Sequence, residues 1–350
     1  MNLYDEIKFL ASHKKKAFYI GWHGHRNLGD EVLLKAYKEL FGEKITFYTK
    51  SYLGKSVKYF LNNSFDYVFL GGGTLINRGG DYLNKLKTLN TKKKVIFGTG
   101  VANPEFWTAI PGSYSAISEW VNELNTCDYI GVRGPLSKRL LTDWGVNKKI
   151  NVVGDPVLIF MRQHIFTKKR NKVVGVNVGF TNGQLWGGDD DRFICKLIRE
   201  LKVLGSKGWS FKFFPVYYKD IDFIFKVMRM LKDYPVDYVE KYTDPNVFMH
   251  ELNSVDVFIG EKLHSVVLAI CTHTPSIMLE YRPKCRDFMM SLGMSHLNIR
   301  TDQIIQHQIV DIVEALYENM DNEQRKIKEK CSIIKKELII EAEKICQLYS

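Results

Sequence analysis

One feature constrains this chain more than any other. Short, continuously apolar runs alternate with amphipathic stretches from end to end. In the first half the runs are Ala17–Trp22, Ile45–Tyr48, Tyr67–Leu70, Val95–Phe97, Tyr129–Val132 and Asn151–Val153. They are rich in β-branched and aromatic residues, and glycine or charge bounds them. A strand with one wet face alternates apolar with polar, whereas an unbroken apolar run suits a strand covered on both faces of a parallel sheet. Between the runs lie helical patterns such as Glu31–Phe41, where Leu33, Leu34, Tyr37, Leu40 and Phe41 form a stripe that ends at Gly42.

The rhythm restarts at Val173–Val178 and continues through Phe211–Phe214, Val236–Val239, Val257–Ile259 and Ser276–Leu279. Helical patterns cover Asp191–Leu204, Ile221–Leu231, Pro245–Asn253, Ser265–Cys271 and Lys284–Leu292. Two successive strand–helix series predict an α/β chain with two Rossmann-like domains. They are expected at 1–167 and 168–302, divided at the basic stretch Lys168-Lys169-Arg170-Asn171-Lys172. Residues 303–350 read as a charged helical tail that packs on the body and crosses back to the first domain.

A chain of 350 residues has room for two such cores. Its 45% hydrophobic and 25% charged content argues against disorder. The net charge of +11 is uneven: residues 1–165 hold 23 basic and 14 acidic residues, and the rest 27 and 25. A basic half points to an anionic partner such as a phosphorylated substrate or an acidic membrane surface. Nucleic acid is not expected, because no recognition motif occurs and the basic residues are dispersed.

The six cysteines form no Cys-x-x-Cys and have no zinc-finger spacing, so buried thiols in a reducing cytoplasm, and no metal, are expected. Met1–Lys16 lacks the apolar core of a signal peptide, and no uncharged apolar run reaches the ~18–20 residues of a membrane span. The expected location is the cytoplasm, with peripheral contact at the inner membrane face. Asn62-Asn63-Ser64 matches a glycosylation sequon, which carries no meaning there. Gly54-Lys55-Ser56 resembles the end of a phosphate loop, but Thr49 stands where the first glycine belongs, and the match is rejected. The sequence carries no signal for oligomeric state.

In Rossmann-like domains ligands bind beyond the C-terminal ends of the strands, and the notable motifs fall there. Gly21-Trp22-His23-Gly24-His25-Arg26-Asn27-Leu28-Gly29-Asp30-Glu31 follows the first strand and opens a helix. Asn27 and Asp30 can cap that helix, or join His23 in a binding loop. Gly71-Gly72-Gly73-Thr74 and Gly98-Thr99-Gly100 each follow a strand, but neither completes a dinucleotide fingerprint. Arg133, after the Tyr129–Val132 run, points into a cleft or pairs with a surface carboxylate. Asp155-Pro156 reads as a turn with a capped carboxylate. The sharpest signal is Gly260-Glu261-Lys262-Leu263-His264-Ser265 at a strand-to-helix junction. Lys262 supplies fixed charge, His264 can exchange a proton near neutral pH, and Ser265 can cap the helix or bind an anion. Tyr281-Arg282-Pro283-Lys284 adds two cations after the next strand. Together these residues suit a small, multiply charged anion.

In that order, from residue 20 to about 290, these segments resemble the polysaccharide pyruvyl transferase family. The resemblance implies two Rossmann-like domains arranged as in B-type glycosyltransferases. It implies transfer of pyruvyl from phosphoenolpyruvate to two hydroxyls of a sugar or lipid-linked oligosaccharide, giving a cyclic ketal, with no cofactor. The first domain would face the acceptor through His23, Asn27, Asp30, Gly72, Gly73, Thr74 and Arg133. The second would bind the donor through Lys262, Leu263, Ser265, Arg282 and Lys284, with His264 as the catalytic acid. Two positions depart from the family pattern: Lys262 stands where arginine is usual, and Gly134 where aspartate is usual. Lysine is a point charge without arginine's bidentate fork. The alternative is a nucleotide-sugar glycosyltransferase of the same architecture. Such enzymes often carry two donor-site glutamates seven residues apart, and Glu261 and Glu280 are too widely spaced for that.

Overall fold

The computed structural model describes residues 3–49, 65–77, 79–107, 116–166 and 169–348. The Gly54–Ser56 and Asn62–Ser64 motifs, and residues 167 and 168 at the expected domain boundary, lie outside them. The chain divides into two compact units. One comprises Met1–His23, Leu33–Ile159 and Ile334–Ser350; the other comprises Gly24–Val32 and Phe160–Ile333.

The first unit holds β1 (Lys15–Ile20), β2 (Ile45–Tyr48), β3 (Tyr67–Leu70), β4 (Gly73–Ile76), β5 (Lys93–Val101), β6 (Tyr129–Val132) and β7 (Ile150–Val152). They form a parallel sheet in the order β2-β1-β3-β5-β6-β7, with β4 paired to β5. Its helices are α1 (Leu3–Ala11), most of α2 (Leu28–Phe41), α3 (Gly80–Thr88), α4 (Pro104–Trp107), α5 (Ile117–Leu124) and α6 (Pro135–Asp143). The unbroken apolar runs have the expected cause. Phe18 meets Phe65 and Tyr48 on one face of β1, while Tyr19 meets Tyr37 and Phe47 on the other. Neighbouring residues of a strand point to opposite faces, so two buried faces demand an apolar residue at every position.

The glycine pair of Gly98-Thr99-Gly100, expected in a loop, lies inside β5. Gly98 has φ +63°, and the pairing with β6 slips between Ile96 and Thr99, so the pair makes a bulge that only glycine enters easily. The third glycine of the Gly71–Gly73 run likewise starts the short strand β4.

The second unit holds β8 (Val173–Asn177), β9 (Ser210–Phe213), β10 (Val236–Tyr238), β11 (Val257–Gly260), β12 (Ser276–Glu280) and β13 (Asn298–Arg300). They form a parallel sheet in the order β10-β9-β8-β11-β12-β13. Its helices are α7 (Asp190–Ser206), α8 (Ile221–Met230), α9 (Pro245–Glu251), α10 (Leu263–Cys271), α11 (Pro283–Ser291) and α12 (Gln308–Glu318). α10 is buried along nearly its whole length, as its continuous apolar sequence requires. Both units are therefore Rossmann-like, and the fold class matches the sequence expectation.

The tail is helical: α12 is followed by α13 (Met320–Gln347), which divides between the units at Ile334. Within the first unit, Tyr67 Oη donates to the Ile345 carbonyl at 3.3 Å and Tyr129 Oη to Glu341 Oε2 at 2.6 Å. No described helix is long and apolar enough to cross a membrane. Four of the six cysteines are buried, whereas Cys195 is exposed and Cys346 half-buried.

Candidate functional site

A cluster of ionisable residues of the second unit, Asp220, Glu261, Lys262, His264, Arg282 and Lys284, follows the ends of β9, β11 and β12. The loop after β11 is held from below by Asn177, the last residue of β8. Lys262 N donates to Asn177 Oδ1 at 2.8 Å, Glu261 N donates to the Asn177 carbonyl at 3.0 Å, and Asn177 Nδ2 donates to the Phe214 carbonyl at 2.8 Å. Ser265 is fully buried, with its hydroxyl 2.6 Å from the Lys262 carbonyl and 3.0 Å from Asn177 Oδ1. Its hydroxyl therefore belongs to the scaffold of the loop. The Leu263 side chain is also in the core, so what Leu263 can offer a ligand is its backbone at the start of α10.

Lys262 occupies the N-cap position of α10. Its Nζ lies 3.6 Å from Glu261 Oε1, and Gly179 N donates to Glu261 Oε2 at 2.9 Å. A β-carbon on Gly179 would collide with Asp220 and with Lys262 Cε, so both side chains lie against the bare glycine. Burial favours the neutral lysine, but Glu261, Tyr281 and Asp220 outweigh it and raise the Lys262 pKa. Burial also raises the Glu261 and Asp220 carboxyls; Asp220 is pushed up to about 7, with Lys262 pulling the other way.

Three cations surround one ring. Lys262 Nζ is 4.8 Å, Lys284 Nζ 4.9 Å and Arg282 Cζ 5.2 Å from the centroid of Tyr281. The aromatic quadrupole partly offsets their mutual repulsion. Arg282 is further fixed by Gln184, donating to its carbonyl at 3.0 Å and to its Oε1 at 2.7 Å. Glu280, at the end of β12, accepts from Trp186 Nε1 at 2.8 Å and Asn298 Nδ2 at 2.6 Å.

The glycine-rich loop after β1 belongs with these residues. The sequence reading assigned Asn27 and Asp30 to the first domain; their contacts group Gly24–Val32 with the second unit. Leu28 N donates to the Val216 carbonyl at 2.8 Å, and Asn27 bridges to Tyr217. Asn27 Oδ1 accepts from Gly29 N at 2.9 Å, which is helix capping. Gly29 is bare because the His264 imidazole lies on it: a β-carbon there would overlap the ring. Burial raises the Asp30 carboxyl to about 6, while His264 and Lys284 hold it down. Thus Asp30, His264 and Lys284 share one electrostatic neighbourhood.

The other expected site residues lie in the first unit. The His23 ring sits 5.9 Å from that of Tyr19. Gly72 is filled by Leu33, and Gly73 opens β4 with φ +100°. Thr74 sits on β4, its hydroxyl buried. Arg133 is wholly buried and lies against Gly100, so it is not a surface ion-pair residue.

Sequence reasoning missed Asn177, Gly179 and Asp220 as parts of this arrangement. Asn177 carried a usable signal, a polar residue closing an apolar strand. Asp220 carried only the signal of a helix cap, standing immediately before α8 without a side-chain capping bond. Chemically, the assembly offers clustered cations for an anion, helix N–H groups, and a histidine beside a carboxyl for moving a proton.

The chain resembles solved structures along nearly its full length. A glycosyltransferase from Rickettsia africae is 10% identical with a TM-score of 0.59, covering 96% of this chain and 98% of that one. Anabaena HepE in complex with UDP-glucose is 12% identical with a TM-score of 0.56, at 96% and 98% coverage. A UDP-GlcNAc 2-epimerase from Neisseria meningitidis is 11% identical with a TM-score of 0.53, at 93% and 99% coverage. At such identities the likeness is one of fold. No curated protein matches the sequence. The sequence pattern of one family does match, over residues 27–283, from the capping Asn27 to the turn after β12, and by that match the chain belongs to the polysaccharide pyruvyl transferase family.

Proposed function

We propose that this transferase moves pyruvyl from phosphoenolpyruvate onto two hydroxyls of a sugar in a cell-surface polysaccharide precursor. The observation that carries this reading is the ring of cations about Tyr281, together with His264 at the start of α10. Phosphoenolpyruvate presents a phosphate and a carboxylate, and Lys262, Arg282 and Lys284 supply charge for both. An exposed helix terminus alone would contribute only ~0.3–1 kcal/mol.

His264 delivers a proton to the methylene carbon of the enol, which becomes a methyl group. The adjacent carbon then takes an electron pair from a sugar hydroxyl, whose proton passes to the histidine. The carbon–oxygen bond to phosphate breaks, the second hydroxyl attacks the same carbon, and its proton leaves with phosphate. One hydroxyl proton thus ends on the methyl group and the other on inorganic phosphate. Asp30 is the carboxyl whose charge interacts with His264 at this end of the site.

The fold neighbours crystallised with nucleotide sugars prompt the alternative of a UDP-sugar donor. The first turn of the helix after β8 argues against it. In Rossmann-like folds that turn is the usual diphosphate site. Here it carries Asp189 as cap, then Asp190 and Asp191, which repel a diphosphate. The deciding experiment measures phosphate release from phosphoenolpyruvate with a panel of sugar acceptors, with UDP as competitor. Acceptor-dependent release unaffected by UDP supports the reading. Protection by UDP, with no phosphate release, overturns it.

The acceptor is proposed to be lipid-linked, with the cytoplasmic enzyme touching the inner membrane face. The support is the basic excess of residues 1–165, since each Lys or Arg near an anionic bilayer contributes ~1 kcal/mol. Binding to anionic vesicles should weaken with salt. Equal binding to neutral vesicles would exclude this contact.

A further inference from the structure

Asp220 stands outside the mechanism above, yet its placement is specific. It is fully buried, its carboxylate faces the backbone of Val216 and Tyr217, and no side chain among the described residues completes a hydrogen bond to it. It lies with Lys262 Cε against the bare backbone of Gly179, whose amide is taken by Glu261. Lys262 is therefore flanked by two buried carboxyls. A buried ammonium needs a counter-ion, but two buried carboxylates exceed what one ammonium balances. An anionic donor at Lys262 would bring further negative charge into the same space.

We propose that Asp220 is an exchangeable counter-ion: when an anionic donor docks on Lys262, the Asp220 carboxyl takes up a proton and yields the lysine to the donor. This rests on the donor site proposed above. Burial already holds the carboxyl near neutrality, so little further potential is needed to protonate it. The groups facing it come from each neighbouring strand end. They are Lys262 and Glu261 after β11, the backbone of Val216 and Tyr217 after β9, and Gly179 after β8; Tyr242, after β10, also feels the carboxyl. Lys262 is the cation among them, and Glu261 is already engaged with it and with Gly179. Asp220 is thus the carboxyl best able to neutralise. In this role it tunes donor affinity and is a positioning residue, not a catalytic one.

The test is calorimetric titration of phosphoenolpyruvate into the full-length protein at pH 8, in two buffers of different ionisation enthalpy. That pH lies above the range in which phosphate monoesters titrate. The wild type should take up close to one proton per donor bound, and its Kd should rise about tenfold per pH unit between 7.5 and 8.5. Asp220→Asn should take up almost none, lose that pH dependence, and bind roughly 30-fold more tightly than wild type at pH 8.5. Donor binding by the wild type without proton uptake would overturn the exchange. So would undiminished uptake in Asp220→Asn, which would move the proton to His264 or Asp30. Absence of uptake in the wild type decides against the exchange without any variant. Undetectable donor binding, or binding untouched by Lys262→Met, would instead remove the donor site itself and this inference with it.

Discussion

The two sheets have the same topology class, but their strand ends are put to different use. In the first unit several glycines in or beside the strands are spent on packing, while Gly100 lies against the Arg133 guanidinium. Gly71 accommodates the ring of Tyr19, Gly72 the side chain of Leu33, and Gly98 the ring of Pro156. In the second unit two bare positions, Gly29 and Gly179, lie under ionisable groups, His264 on one and Asp220 with Lys262 on the other, while Gly175 and Gly205 meet the Phe258 and Tyr234 rings. A glycine at a strand end permits close approach, but the partner that approaches decides whether the position serves a core or a site. The comparison predicts that perturbations at the second sheet's strand ends disturb chemistry and donor binding. Those at the first should disturb stability and leave donor binding alone.

The largest expected effect is on His264. General acid catalysis typically contributes ~10²–10⁴ in rate, so His264→Gln should lower kcat by about that factor with only a modest change in donor affinity. A folded variant with near-native kcat would reduce the histidine to a structural role. Next comes Lys262. Lys262→Met keeps most of the side-chain length and removes the charge. Loss of one charge-assisted hydrogen bond should weaken phosphoenolpyruvate binding by ~1.5–3 kcal/mol, roughly 10- to 150-fold. Lys284→Met should act in the same direction. Unchanged donor binding in both would move the site elsewhere.

Stability offers a third handle on the second unit. The folded-state pKa values of Asp30 and Asp220, about 6 and about 7, lie above the ordinary aspartate value of 3.8. Between pH 4 and 7 these two carboxyls therefore hold more protons in the folded than in the unfolded chain, and their contribution to stability falls as pH rises through that window. Asp220→Asn removes one such loss. Its gain over wild type should be near zero at pH 4, grow through pH 7 and then level off, with a ceiling on the order of 4 kcal/mol. Thermal unfolding in the absence of ligand reads it as a Tm difference of a few degrees. A difference independent of pH between 4 and 8 would mean that Asp220 ionises freely in the folded state.

The fold was legible because the central strands of both sheets are covered on both faces, a condition that imposes runs of apolar residues. β3 shows this, with all four residues buried. Exceptions are instructive. β13 is three residues long and carries a polar residue at each end, so no run announces it. The site was legible where sequence neighbours supply it, as in Lys262-Leu263-His264 and Arg282-Pro283-Lys284. It was not legible where distant residues meet. Asn177 reaches the Lys262 loop from the end of β8 and Asp220 from the turn before α8, and Gly24–Val32 joins the second unit after following the first strand of the first. That loop's grouping comes from the Leu28–Val216 hydrogen bond and the Asn27–Tyr217 bridge, pairings between residues far apart in the chain. No local pattern encodes such a meeting.

The smallest expected effect is the one that most directly tests the contrast between the two sheets. Gly72 was expected from the sequence to give an acceptor room, yet Leu33 fills the space beside it. Leu33 is almost completely buried, so it has little freedom to retreat from an added methyl group. Overpacking of this kind typically costs ~1–3 kcal/mol. Gly72→Ala should therefore lower Tm, while the phosphoenolpyruvate Kd of the folded protein stays at the wild-type value. Acceptor KM separates the two readings of the loop. If Gly72 serves packing alone, acceptor KM measured well below the lowered Tm is unchanged. A rise in acceptor KM at unaltered Tm would show that the methyl group meets the sugar and not Leu33, and the first sheet's glycines would then be site residues like those of the second.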